Sequence, residues 1–125
     1  MSKSTFTVVV AGGRDFKNYE SLTKHLDIML ANVIKKYEVT IVSGGARGAD
    51  ALGARYAKDK GLNLKTMPAD WDKFGKSAGY KRNQAMADCS DATVAFWDGE
   101  SKGTKHMIDI TKRKGNKLQM VKYIA

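Results

Sequence analysis

Short apolar runs rich in β-branched residues alternate along the chain with longer stretches whose apolar positions recur every three or four residues. Thr5 to Ala11 (TFTVVVA) is a short, β-branched apolar run that ends at Gly12-Gly13, the pattern of a strand buried on both faces, as in a parallel sheet. From Asn18 to Tyr37 the positions Leu22, Leu26, Met29, Leu30, Val33, Ile34 and Tyr37 keep helical spacing, with Asn18 as N-cap, and predict one long helix. Val39 to Ser43 (VTIVS) is a second buried-type strand, Ala49 to Lys60 a helix stopped by Gly61, and Leu62 to Met67 a third, shorter strand. Pro68 opens an irregular stretch, ADWDKFGKSAGY, before a helix around Lys81 to Asp88. Ala92 to Trp97 (ATVAFW) predicts a fourth strand, Thr104 to Lys114 a helix ended at Gly115-Asn116, and Lys117 to Tyr123 a fifth strand.

Strands alternating with helices in this way predict an α/β fold: an open, mostly parallel sheet of about five strands, because parallel neighbours need crossovers of this length. Right-handed crossovers lay helices on both faces, giving three layers. Ligands of such sheets bind outside the carboxyl ends of the strands, so the loops after strands one to four are the candidate site.

Composition narrows the picture. The 125 residues are expected to form a single domain, 1–125, without a disordered or low-complexity tract. One cysteine, Cys89, and two histidines, His25 and His106, supply neither a disulfide nor a metal cluster, and a reducing, cytoplasmic setting is expected. No apolar run reaches a membrane span, and MSKSTFTVVV lacks the apolar length of a signal peptide, so no membrane partner is expected. The 22 basic residues exceed the 13 acidic ones, a formal charge of +9 that favours polyanionic partners. The lysines of the final helix also read as a solvated face, and both readings stand.

The loops carry the candidate chemistry. Ser43-Gly44-Gly45-Ala46-Arg47-Gly48-Ala49-Asp50 leads from a strand end into a helix, where glycine lets backbone amides approach a ligand and the helix start favours an anion. Its spacing is neither the dinucleotide fingerprint nor a Walker loop, and turn geometry alone is the competing reading. Gly12-Gly13-Arg14 after strand one adds a guanidinium that can grip a phosphate or pair with Asp15 or Asp50. Asp98 to Thr104 is a third such turn, with Asp98 at the strand end and Gly103 and Thr104 where the last helix opens. In GKSAGYKRNQAMAD, Tyr80, Arg82 and Asn83 fall near a helix start; Tyr80 either caps the helix or covers a base, a role Trp97 can also take. Trp71 and Phe74 read as a local hydrophobic anchor, and Met29, Tyr37, Met86 and Met107 as core.

Four stretches in order, VVVAGGRDF, VSGGARGADALGARYA, GKSAGYKRNQAMAD and DATVAFWDGESKGT, resemble the YspA-like (cpYpsA-related) branch of the SLOG superfamily, and more distantly the LOG phosphoribohydrolases and the DNA-processing protein Smf/DprA. The resemblance implies a Rossmann-like fold and a bound nucleotide or nucleotide-derived ligand, held by a sensor or sequestering module of bacterial or phage conflict systems; no cofactor is expected. It implies a phosphate-side loop of Gly44, Gly45, Arg47, Gly48 and Asp50. Gly103 and Thr104 match the glycine-threonine turn of the LOG enzymes, and Arg82 the arginine of their ERK-like stretch. The glutamate those enzymes need three residues after the threonine is Met107 here, so the enzymatic alternative, cleavage of a nucleotide N-glycosidic bond, would need Asp98, Glu100 or Asp109 instead. VSGGARGAD also resembles the SGxARGID signature of the DNA-processing proteins, which implies single-stranded DNA as an alternative partner. A homodimer is a further expectation from the resemblance.

Overall fold

The computed structural model describes residues 4–124. Its elements run β1 (Ser4–Gly12), α1 (Tyr19–Leu30), α2 (Val33–Lys36), β2 (Tyr37–Ser43), α3 (Ala49–Lys60), β3 (Asn63–Thr66), α4 (Trp71–Phe74), a 3-10 turn (Gly75–Ser77), α5 (Ala78–Asp88), β4 (Ala92–Trp97), α6 (Lys102–Lys114) and β5 (Lys117–Lys122). Five strands form one sheet in the order β3-β2-β1-β4-β5 with every pairing parallel, the Rossmann-like α/β arrangement expected.

The unbroken apolar run of β1 has a direct structural reason. Val8 and Val10 pack with Leu22, Leu26 and Leu30 of α1 and Tyr56 of α3, while Val9 and Ala11 pack with Met86 of α5 and Met107 and Ile110 of α6. Alternate residues thus serve opposite faces, and both faces are covered. Fully burying each valine or leucine side chain stabilises by about 1.5–3 kcal/mol. On the α5/α6 side the buried Thr93 and Thr111 hydroxyls lie 3.0 Å apart, and Thr111 donates to the Met107 carbonyl, so neither is orphaned.

Two expectations change. The single helix from Asn18 to Tyr37 is divided: α1 stops at Leu30, α2 is one turn, and Tyr37 begins β2 opposite Ser4. The apolar spacing continued past Leu30, yet Ile34 is 43% and Tyr37 39% exposed, so it no longer marks the buried stripe that ends with Leu30. The stretch after Pro68 is not irregular either. Asp70 caps α4 by accepting from the Lys73 amide, Gly75 ends it at φ +57°, and α5 starts at Ala78 rather than Lys81. No helix among the described residues is long and apolar enough to cross a membrane.

Candidate functional site

Three turns meet at the carboxyl edge of the sheet, after β1, β2 and β4, beside the segment that joins β3 to α5. They enclose an open cleft of about 890 Å³. Of the residues expected to bind ligand, Gly12, Gly13, Arg14, Arg47, Asp50, Tyr80, Arg82, Asn83, Asp98, Gly103 and Thr104 line it. Ser43, Gly44, Gly45 and Gly48 do not; they shape the wall from behind.

The wall is pinned tightly. The Ser43 hydroxyl donates to the Asp50 carbonyl and accepts from the Gly45 amide, and the Ala46 amide donates to the Asp50 carboxylate at 3.2 Å. The Ala49 amide donates to the Gly13 carbonyl, and the Gly13 amide to the Phe96 carbonyl, so the turns after β1 and β2 are joined to each other and to β4. The amides of Gly45, Ala46 and Ala49 are therefore committed inside the protein. What the glycines provide is mainly proximity: a Cβ on Gly48, at φ +78°, would stand 2.6 Å from Arg14 Cα, and one on Gly44 would stand 2.7 Å from Asp50 Oδ2 and 2.8 Å from Arg82 Cζ.

The space beside Gly44 thus belongs to Arg82 and Asp50. Arg82 donates through Nη1 to the Gly44 carbonyl at 2.7 Å and through Nε to Asn83 Oδ1 at 3.0 Å. Asn83, only 5% exposed, passes the connection on by donating through Nδ2 to the Gly103 carbonyl, with His106 Nδ1 at 3.3 Å. This chain of bonds runs from the β2 turn to the start of α6 and holds the Arg82 guanidinium in place. Asp50 is 6% exposed, and burial pushes its carboxyl above the usual carboxylate range, opposed by the Ala46 amide and then by Arg82 and Arg14. Arg82 is lowered by burial and by Arg14, and raised by Asp50.

The β4 turn is similarly self-satisfied. Asp98 accepts from the Glu100 and Ser101 amides, both at 2.8 Å, which hold its carboxyl below the usual range, and Ser101 caps α6 by accepting from the Thr104 amide. Of the carboxylates named as substitutes for a catalytic glutamate, Asp98 alone lines the cleft; Asp109 pairs with Lys105 at 2.9 Å on the α6 surface, and Glu100 is exposed. Met107 is 1% exposed and packs with Met86 at the cleft floor.

Lys17, Lys76, Ser101 and Trp71 also line the cleft and were not singled out as ligand residues. Trp71 and Phe74, expected as a local hydrophobic anchor, are 53% and 37% exposed, and Trp71 lines the cleft wall. Trp97 lies outside the cleft lining and donates its indole N–H to the Ser101 carbonyl at 3.1 Å. Among the described residues no group of three or more His, Cys, Asp or Glu side chains is placed to hold a metal ion.

Comparison with known proteins now adds the lineage. The profile of the YspA, cpYpsA-related SLOG family matches residues 6–74. Gene 61 protein of Mycobacterium phage D29 is 33% identical over 114 residues, covering 86% of this chain and 90% of that protein. Among solved structures, DNA processing protein A of Streptococcus pneumoniae superposes with a TM-score of 0.70 at 16% identity, over 94% of this chain and 50% of that one. DNA processing protein A of Helicobacter pylori, whose structure is described for its single-stranded DNA binding mode, gives 0.58 at 20% identity, over 92% and 64%. The chain thus spans half of the pneumococcal protein and less than two thirds of the other, and these two likenesses are likenesses of fold.

Proposed function

The chain belongs to the YspA, cpYpsA-related SLOG family, and from that premise we propose that its carboxyl-edge cleft binds a nucleotide or nucleotide-derived small molecule, as a sensor or sequestering module. The observation that carries the reading is the charge lining a cleft of nucleotide size. Arg14, Lys17, Arg47, Lys76 and Arg82 face three carboxylates, Asp15, Asp50 and Asp98. The five cations outnumber the three carboxylates, and Asp15 and Asp98 already accept from the Tyr123 hydroxyl at 2.6 Å and from two amides. A volume of about 890 Å³ falls in the range of small-molecule sites. Arg82, held from two sides, meets a phosphate with little ordering left to do.

Native mass spectrometry of the protein purified from cells, then denaturation and identification of released small molecules, is the direct test. A co-purifying nucleotide, or calorimetric binding to members of a nucleotide panel, is the expected result; no release and no heat with any nucleotide at millimolar concentration overturns the reading. The same panel, followed for free base, tests turnover, for which the apolar Met107 and the engaged Asp98 make a poor site.

A second reading, single-stranded DNA in the same cleft, is favoured by the exposed Lys17, Arg47 and Lys76 around it and by the net charge of +9. Oligonucleotide affinity that falls steeply with salt would support it, through counterion release.

A further inference from the structure

Resting on the nucleotide reading, we propose that Trp71 is the base-recognition residue of the cleft: the base of the ligand stacks on its indole, beside Tyr80, while the phosphate is taken by the arginines.

The cleft has two kinds of wall. The turns after β1 and β2 supply Arg14 and Arg47, and Arg82 is anchored to the second of them through Gly44. The segment between β3 and α5 and the first turn of α5 supply instead two large rings, Trp71 of α4 and Tyr80 of α5, 53% and 48% exposed. A tryptophan left half in water on a cleft wall forfeits burial that a packed position would give it, and stacking on a ligand ring would recover it.

The local structure presents these rings on a shaped support. Asp70 and Gly75 bound the single turn of α4, which fixes where Trp71 starts. At Gly79 an added Cβ would lie 3.4 Å from Trp71 Cη2, so the edge of the indole lies close to the start of α5, where this residue contributes no side chain. Tyr80 stands next in the chain with its ring 4.4 Å from that of His106, tilted by 59°, and so leans on α6. Phe74, the other exposed ring of the segment, is covered differently, with Lys81 Nζ 4.4 Å and Lys73 Nζ 5.1 Å from its centroid. Among the described residues no cation stands over the Trp71 ring in this way, and Lys76, which also lines the cleft, adds charge for an anionic ligand.

The test compares ribose 5-phosphate with the four common nucleoside 5′-monophosphates by calorimetry on the full chain, for wild type, Trp71→Ala and Trp71→Phe. Trp71 is exposed enough that neither change endangers the fold. The expected result is that at least one nucleotide binds wild type more tightly than ribose 5-phosphate, that Trp71→Ala weakens that nucleotide about ten- to a hundredfold while leaving ribose 5-phosphate unchanged, and that Trp71→Phe restores most of the loss. A nucleotide preference that survives in Trp71→Ala overturns the role of Trp71 and leaves the nucleotide reading standing. Equal binding of ribose 5-phosphate and nucleotides to wild type overturns base stacking altogether. Binding of neither overturns this proposal, and the nucleotide reading then stands or falls on the co-purification and the wider nucleotide panel.

Discussion

The two ends of the sheet use glycine for different purposes. At the amino edge, Gly61 and Gly115 end α3 and α6 at φ +67° and +78°, and a Cβ on either would meet nothing within 4 Å. Their amides and those of the following residues close the helices: Gly61 donates to Lys58 and Leu62 to Ala57, and Gly115 donates to Lys112 and Asn116 to Thr111. Only backbone shape demands glycine there. At the carboxyl edge, Gly13, Gly44 and Gly48 are crowded, by Tyr123, by Arg82 and Asp50, and by the Arg14 backbone. The amino edge stops helices, whereas the carboxyl edge packs the turns after β1 and β2 so closely that side chains at Gly13, Gly44 and Gly48 would not fit.

Gly48→Ala is the sharpest way to break this comparison. It forces a side chain into φ +78°, ψ −130° and into the backbone of Gly13 and Arg14, neither of which can move without breaking the bond from the Ala49 amide. A loss of about 3 kcal/mol is expected, read by urea denaturation. A loss no larger than that of Gly61→Ala would mean that both edges use glycine for conformation alone.

Next in size is Arg82→Ala, with an expected ten- to hundredfold loss of nucleotide affinity. Arg82→Lys keeps the charge but not the fork that joins Gly44 to Asn83, so calorimetry should place it between the two. An unchanged titration for Arg82→Ala would make the arginine a brace for Gly44 and nothing more.

How much of this could be read beforehand follows the same division. β1, β2 and β4 were legible because burial on both faces leaves an unbroken apolar run, and the stop signals Gly61 and Gly115 were legible because a helix end is a local event. The α1–α2 break was not, since Val33, Ile34 and Tyr37 keep helical spacing for reasons of their own, Tyr37 as the first residue of β2. The α4 turn is too short for any period to show. At the site, the sequence pattern brought Arg14, Arg82, Asn83 and Thr104 to one edge, yet the crowding of Gly44 and the exposure of Trp71 depend on partners 38 residues away in the first case and on the cleft itself in the second. Trp71 sits among Asp70, Asp72 and Lys73, a large ring in a polar stretch, and that mismatch was the available signal.

Gly61→Ala is expected to cost about 1 kcal/mol, the strain of a left-handed position without a clash. It should leave nucleotide affinity untouched, because nothing at the amino edge reaches the cleft. A change in affinity for this variant would join the two edges and remove the distinction between them.

The smallest effect concerns pH and again falls on the carboxyl edge. Burial, and then Arg113, hold the His106 imidazole below its ordinary 6.5, with Asp109 opposing. The folded state therefore takes up this proton less readily than the unfolded chain, and the stability it contributes is present above 6.5 and lost as pH falls through the lowered value. The geometry agrees: His106 Nδ1 faces the Asn83 amide nitrogen at 3.3 Å, where only an unprotonated nitrogen can accept, and Asn83 also holds Arg82. Thermal unfolding of wild type should lose more between pH 7 and pH 5 than His106→Gln, whose side-chain oxygen can still accept from Asn83 but cannot titrate. Burial of Asp50 acts in the opposite sense, since a raised carboxyl stabilises the fold as pH falls, so the difference between the two proteins is the quantity to read. Parallel curves would separate His106 from the bonded chain that positions Arg82.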